Sequence, residues 1–211
     1  MVKQERAART RETLMQAAAE FFDRDGYGLT TLSRVSKAAG ISMGALTFHF
    51  PTKDDLADAV QVRGGSITRA ALDRVTNTAD EPLQMLVGVT LELARLLEKE
   101  AIVRAAARLS RERRSTSADW PGTWLPAVER LLESATERDL RHGIDLKAVR
   151  ALVVHLITGA EAEMRCTSAH AKDHTDGAEA QLSDIWHVVL RGVADQTRTA
   201  PQAHGEDGLT S

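Results

Sequence analysis

The chain has 211 residues, enough for one or two domains with a full core, and its content of 43% hydrophobic and 27% charged residues excludes disorder of the whole chain. A formal net charge of −3 excludes a protein that meets polyanions with its entire surface, though not one with a local basic patch. A single Cys excludes an internal disulfide framework and a Cys-rich zinc site, while 4% aromatics, frequent Ala and few β-branched runs point to helices.

In chain order, Leu14, Ala17, Ala18, Phe21 and Phe22 fall on one helical face, and Gly26 stops that helix. Thr30 and Thr31 are N-cap candidates for a short helix over about 32–39, closed by Gly40. Ser42 caps a second short helix over about 43–49, which ends before Pro51. Thr52 to Asp55 matches a capping box at the head of a longer helix, which Gly64–Gly65 weakens and is expected to kink. Leu83 to Leu97 carries the next apolar stripe, and a short helix covers about 101–111. Residues 111–119, beginning Arg111–Glu112–Arg113, read as a solvated polar loop. Trp124 to Ala135 forms another stripe with Gly143 past its end. Asp145 caps a helix with Val149, Val153, Ile157 and Ala160 inward, and Asp176–Glu179 starts the last one. The tail from Thr199 is polar and is expected to be disordered. The fold class is therefore all-α, with about nine helices, no strand and no internal repeat.

Charge is unevenly spread. Residues 1–53 carry eight Lys or Arg against five Asp or Glu, on a remainder that is net negative. A polyanion would thus meet the front of the chain only. No apolar run approaches the ~20 residues of a bilayer span, and no apolar stretch follows the basic N-terminus as in a secretory signal. The expected place is the cytoplasm, with no membrane contact.

Thr31 to Phe50 is the informative segment. Two short helices joined by a Gly-containing turn make a helix-turn-helix, whose second helix presents its N-terminal residues to base edges in the major groove. Gly44 and Ala45 are small enough for close approach, and Ala can meet a thymine methyl. Thr31, Ser42, Met43, Thr47, Phe48 and His49 complete the candidate DNA-reading set. Lys53, at a helix N-terminus, suits a phosphate. Arg6 and Arg9, with Lys3 and Arg11, form a basic arm for phosphate or minor-groove contacts, or simply a solubilising one.

Residues 9–60 resemble the DNA-binding domain of tetracycline-repressor-type (TetR) regulators. The hallmarks are Ala18, Phe21, Gly26, Thr30, Thr31, Val35, Ala39, Gly40, Gly44, Phe48, Phe50, Lys53 and Leu56. The segment from Gly44 to Ala57, the Trp124 region and the ending Ile185 to Gly192 resemble more narrowly the γ-butyrolactone receptor branch. The resemblance implies a helix-turn-helix domain over 1–52 and a ligand-binding and dimerisation domain over 53–198. It implies a homodimer through the last two helices, here 145–170 and 176–198, on a palindromic double-stranded operator, released by a small-molecule inducer (a γ-butyrolactone-like signal, or an antibiotic or pathway intermediate) and needing no cofactor. It maps the phosphate-contacting lysine to Lys53. The family commonly has Tyr where Thr47 stands, so that backbone contact is shortened or absent here. The branch's pocket tryptophan maps to Trp124, with Trp120 as competitor. Val89, Leu93, Leu109 and Val128 are candidate pocket lining, and His155, Thr158 and Glu161 are candidate polar contacts on an otherwise apolar helix.

Other readings stand beside these. Trp124 and His155 also fit ordinary interior packing. His170 and His174 have a zinc-like i, i+4 spacing without a third ligand, so a solvated face is preferred and no metal is expected. Cys166 reads as a bystander thiol. An all-helical enzyme is disfavoured, because the chain lacks a phosphate-binding glycine loop and a nucleophile elbow, and Glu161 and Glu163 face different sides of a helix. An adaptor that has lost DNA binding would not need Lys53 or the turn.

Overall fold

A computed structural model describes residues 2–113, 119–135, 145–167 and 177–193. Among them are nine α-helices and no strand: α1 Val2–Leu29, α2 Leu32–Ala39, α3 Met43–His49, α4 Lys53–Thr76, α5 Pro82–Lys99, α6 Ala101–Glu112, α7 Leu125–Ser134, α8 Leu146–Thr167 and α9 Ala178–Val193. A single 3-10 turn, Pro121–Thr123, precedes α7. The sequence expectations on Gly143, Asp176, His170, His174, Arg198 and the tail from Thr199 lie outside the described residues, as do the side chains of Lys3 and Cys166.

Local chemistry sets the helix starts. The Thr31 hydroxyl accepts from the Arg34 N–H at 3.4 Å, and the Ser42 hydroxyl from the Ala45 N–H at 3.3 Å. Thr52 and Asp55 form a reciprocal capping box at 2.9 and 3.1 Å. The Asp145 carboxylate accepts from the Lys147 N–H at 2.9 Å. Gly40 closes α2 in the left-handed region, φ 65°.

Two local expectations are corrected. Gly26 does break helical geometry, at φ 80° and ψ 175°, but the chain then resumes and α1 runs to Leu29. The resumed turn is pinned from outside: the Thr30 hydroxyl donates to the Gly26 carbonyl at 2.7 Å, and the Tyr27 N–H to a Glu112 carboxylate oxygen at 2.6 Å. Nor does Gly64–Gly65 kink α4, which is continuous from Lys53 to Thr76. The glycines instead admit neighbours. A Cβ on Gly64 would lie 2.5 Å from the Ala106 Cβ and 2.8 Å from the Ile102 carbonyl oxygen, and one on Gly65 would lie 2.9 Å from a Thr123 methyl. α6 and the 3-10 turn thus grip α4 at adjacent positions.

Leu14, Ala18 and Phe22 of α1, Val35 of α2, Leu46 of α3 and the following Phe50 are buried in the head of the molecule. Phe21 is only half-buried, its ring covered by the guanidinium groups of Arg24 and Arg34 at 5.0 and 4.7 Å. α5 is the central strut, touching α4, α6, α7, α8 and α9 and burying Leu86, Val89, Leu93 and Leu97. α6 packs on both α1 and α4, which joins the head to the rest of the molecule.

Candidate functional site

α3 has one face in the core and one in solvent. Leu46 turns inward; Ser42, Met43, Gly44, Thr47 and Phe48 are exposed, and Ala45 and His49 are half-buried beside them. Phe48 is 80% exposed and stands edge to face with the His49 ring, at 5.4 Å between centroids. An apolar ring so placed has no role in the core. Nothing lies within 4 Å of a Cβ on Gly44, so this face is open. The Thr47 hydroxyl is turned back on its own helix, 3.0 Å from the Met43 carbonyl and 3.2 Å from that of Gly44. Thr31 is exposed at the head of α2. Arg6 and Arg9 are exposed too, but they sit on α1 rather than on a separate arm, and no hydrogen bond or ion pair joins them to α2 or α3.

Lys53 is half-buried and already engaged. Its ammonium donates to the Tyr27 carbonyl at 2.9 Å and lies 4.1 Å from the centre of the Tyr27 ring. Around Tyr27 a polar node joins three helices, which the sequence reading missed. The Tyr27 hydroxyl donates to Asp54 at 2.9 Å, and this bond, helped by Arg113, holds the Asp54 carboxyl below its ordinary range. Arg113 donates to Asp54 at 2.8 Å, Asp58 at 2.7 Å and Gln61 at 2.8 Å, with its side chain only 10% exposed. Arg108 reaches the Asp23 and Arg24 carbonyls just before the Gly26 break in α1, and Arg104 reaches the Asp23 carboxylate at 2.7 Å. The expectation of a solvated loop over 111–119 is thereby corrected at its start: Arg111 and Glu112 end α6, and the half-buried Arg113 is paired with α4. The signal available in the sequence was the lone Tyr27 and a dense run of arginines.

The head carries its own ion pair across α1 and α2. Arg24 and Arg34 lie 2.9 and 2.6 Å from the Asp25 carboxylate and hold its pKa down to about 2. Because the folded value is depressed, this stabilisation is present above the unfolded value and is lost as pH falls through the folded one. Asp25→Asn is therefore expected to flatten the acid limb of thermal stability between about pH 4 and pH 2, measured by circular dichroism. An unchanged limb would remove Asp25 from the account.

A second feature also lies along the C-terminal half of α6, at Ala107, Ser110 and Arg111. A cavity of about 130 Å³ opens between α6, α8 and residues 119–124, with Arg111, Trp120, Trp124, Ile157, Thr158 and Glu161 on its wall. Trp120 and Trp124 meet edge to face, 5.9 Å between centroids. Among the described residues, the buried Trp124 indole N–H has no acceptor. Glu161 is buried and paired with Arg111 and, at 3.3 Å, with Arg165. Of the residues selected from sequence, Trp124, Thr158 and Glu161 come together here. Val89, Leu93, Leu109 and Val128 are fully buried in the core outside its wall, and His155 is exposed. Trp120, left open as the competitor of Trp124, stands on the same wall. Among the described residues no group of three His, Cys, Asp or Glu could hold a metal ion, and no helix is long and apolar enough to cross a membrane.

The family model described as bacterial regulatory proteins, tetR family, matches residues 14–60, which contain α2, α3 and the first turns of α4. The A-factor receptor protein of Streptomyces griseus is 30% identical over 201 residues, 92% of this chain and 67% of that protein. A crystal structure of a γ-butyrolactone receptor, an ArpA-like protein, superposes with a TM-score of 0.74 at 29% identity, covering 92% of this chain and 93% of that one. CprB of Streptomyces coelicolor in complex with its biological operator sequence superposes with a TM-score of 0.70 at 30% identity, covering 92% of each chain.

Proposed function

The chain belongs to the tetR family of bacterial regulatory proteins, and from that premise we propose that it is a transcriptional repressor released from its operator by a small molecule. The open outer face of α3, from Ser42 to Phe48, carries this reading. Such a face suits the major groove, with Gly44 and Ala45 allowing close approach and Phe48 and Met43 offering apolar contact to thymine methyls. Lys53 supplies a phosphate contact at the edge of the same surface. The protein acts as a binder of DNA in the cytoplasm and not as an enzyme.

Two copies read the operator. On α9, Val188 is 73% exposed and Ile185 40%, while Trp186 between them is buried. An apolar face of this kind suits pairing with a second copy through α8 and α9. A two-fold dimer asks for an inverted repeat with half-sites about 34 Å apart. Selection of bound duplexes from a random pool is expected to enrich such a repeat. Failure to enrich any duplex at low salt would refute the proposal.

The cavity supports ligand control. Specific pockets for small molecules span roughly 300–1,000 Å³, so a space of about 130 Å³ admits only part of one before its walls move. A ligand that occupies it therefore favours a different arrangement of α6, α8 and residues 119–124, and populations shift toward the form that does not read DNA. A coupling of about 1–3 kcal/mol changes affinity 5- to 150-fold. The unpaired Trp124 N–H calls for an acceptor oxygen. A lactone carbonyl meets that need, and the similar γ-butyrolactone receptors make this the preferred ligand class. Trp124→Phe removes the N–H together with part of a buried ring, so stability is expected to fall by about 1–2 kcal/mol while operator affinity of the folded protein holds. The butyrolactone concentration for half-release, read by fluorescence anisotropy, should rise about tenfold, the worth of one hydrogen bond. An unchanged concentration would return Trp124 to core packing.

A further inference from the structure

Trp120 is bonded on three sides, and only one of those bonds leaves its own neighbourhood for the helix that carries Lys53. Its backbone N–H donates to the Ser110 hydroxyl on α6 at 2.8 Å, and its carbonyl accepts from Thr123 at 2.6 Å. Its indole N–H donates to the Thr68 hydroxyl on α4 at 3.1 Å, with both side chains buried. Thr68 in turn donates to the Gly64 carbonyl at 3.0 Å, where α6 leaves no room for a Cβ on α4. The Thr68 hydroxyl therefore uses its single donor within α4 and receives Trp120 from the cavity wall. Thr68 stands 15 residues from Lys53 along an unbroken helix, a distance of about 22 Å.

We propose that Trp120 is a positioning residue for the DNA-reading head: its indole N–H ties the cavity wall to α4 through Thr68, and a ligand in the cavity acts on α4 by displacing this bond. The inference rests on the repressor reading above. A ligand pressing on the Trp120 ring cannot move it without lengthening the bond to Thr68 or shifting α4 with it, because the interior is close-packed and the adjacent Gly65 already meets Thr123. Coupling between sites is reciprocal, so operator binding must be felt at Trp120 in the absence of any inducer. That reciprocity separates a positioning role from a merely structural one.

The test uses the full chain labelled with 15N at its three tryptophan indoles and the duplex enriched from the random pool. The Trp120 cross-peak is identified by its loss in Trp120→Phe. On adding duplex to the wild-type protein, this peak is expected to shift and its N–H to exchange with solvent about tenfold more slowly, within the usual span of coupling. Thr68→Val keeps the shape and removes the acceptor, so the duplex should no longer shift the peak; Thr68→Ser keeps the hydroxyl and should restore the shift. Should Thr68→Val fail to fold, the wild-type exchange rate decides. A duplex that binds without changing the Trp120 peak or its exchange overturns the inference and leaves the repressor reading intact, as does an equal shift in folded Thr68→Val. A protein that binds no duplex overturns both.

Discussion

Gly64→Ala is expected to destabilise the protein by about 3 kcal/mol, the upper end of what overpacking costs. The new methyl would lie 2.5 Å from Ala106 and 2.8 Å from a backbone carbonyl of α6, and a backbone atom cannot rotate away. α4 and α6 would have to separate along the seam that holds the head to the body. For a domain of this size the loss corresponds to a fall in Tm of roughly 6–12 °C at fixed protein concentration. Gly28→Ala, on α1 and away from the paired helices, is the control: nothing lies within 4 Å of a Cβ there, so stability should hold within about 0.5 kcal/mol. Equal Tm values for Gly64→Ala and the wild type would mean that α4 and α6 do not meet as described.

The second large effect is on DNA. Lys53→Met is expected to weaken every duplex alike, by about tenfold, because a phosphate contact positions the protein without reading sequence. The salt slope should fall by about 0.9 per contact, or about 1.8 for two subunits. The acidic residues next to Lys53 do not cancel it. Asp54 is taken up by Tyr27 and Arg113, and Asp55 by the capping box with Thr52. The bond from Lys53 to the Tyr27 carbonyl uses one of three ammonium N–H groups and leaves two for a phosphate. Anisotropy titrations between 50 and 200 mM salt measure both quantities. A slope equal to the wild type's would show that Lys53 serves only to hold Tyr27.

How much of this was legible in the sequence follows from the range of the interactions. The turn and its helices were readable because Thr31, Ser42, Gly40, Thr52 and Asp55 act on neighbours within a few residues. The central stripe of α5 was readable for the same reason, its period being that of the helix. The node at Tyr27 was not, since Glu112 and Arg113 meet residues that lie far away in sequence, and a run of arginines looks the same whether solvated or buried. Gly64–Gly65 was misjudged because propensity reports the cost of glycine in a helix but not the helix packed against it. Of the candidate pocket residues, periodicity identified inward positions, yet it could not separate those facing a cavity, such as Trp124, from those facing the core, such as Val89 and Leu93. His155 interrupts the apolar pattern of α8 and proved to be on its exposed side.

The most direct test of the central claim, that one cavity controls one DNA-reading face, is an anisotropy titration of the selected duplex with and without a γ-butyrolactone, with tryptophan emission followed in the same cuvette. The account predicts that emission changes as the lactone enters beside Trp120 and Trp124, and that over the same concentrations duplex affinity falls at least fivefold. A lactone that changes the emission to saturation while the duplex stays bound with unaltered affinity would contradict it.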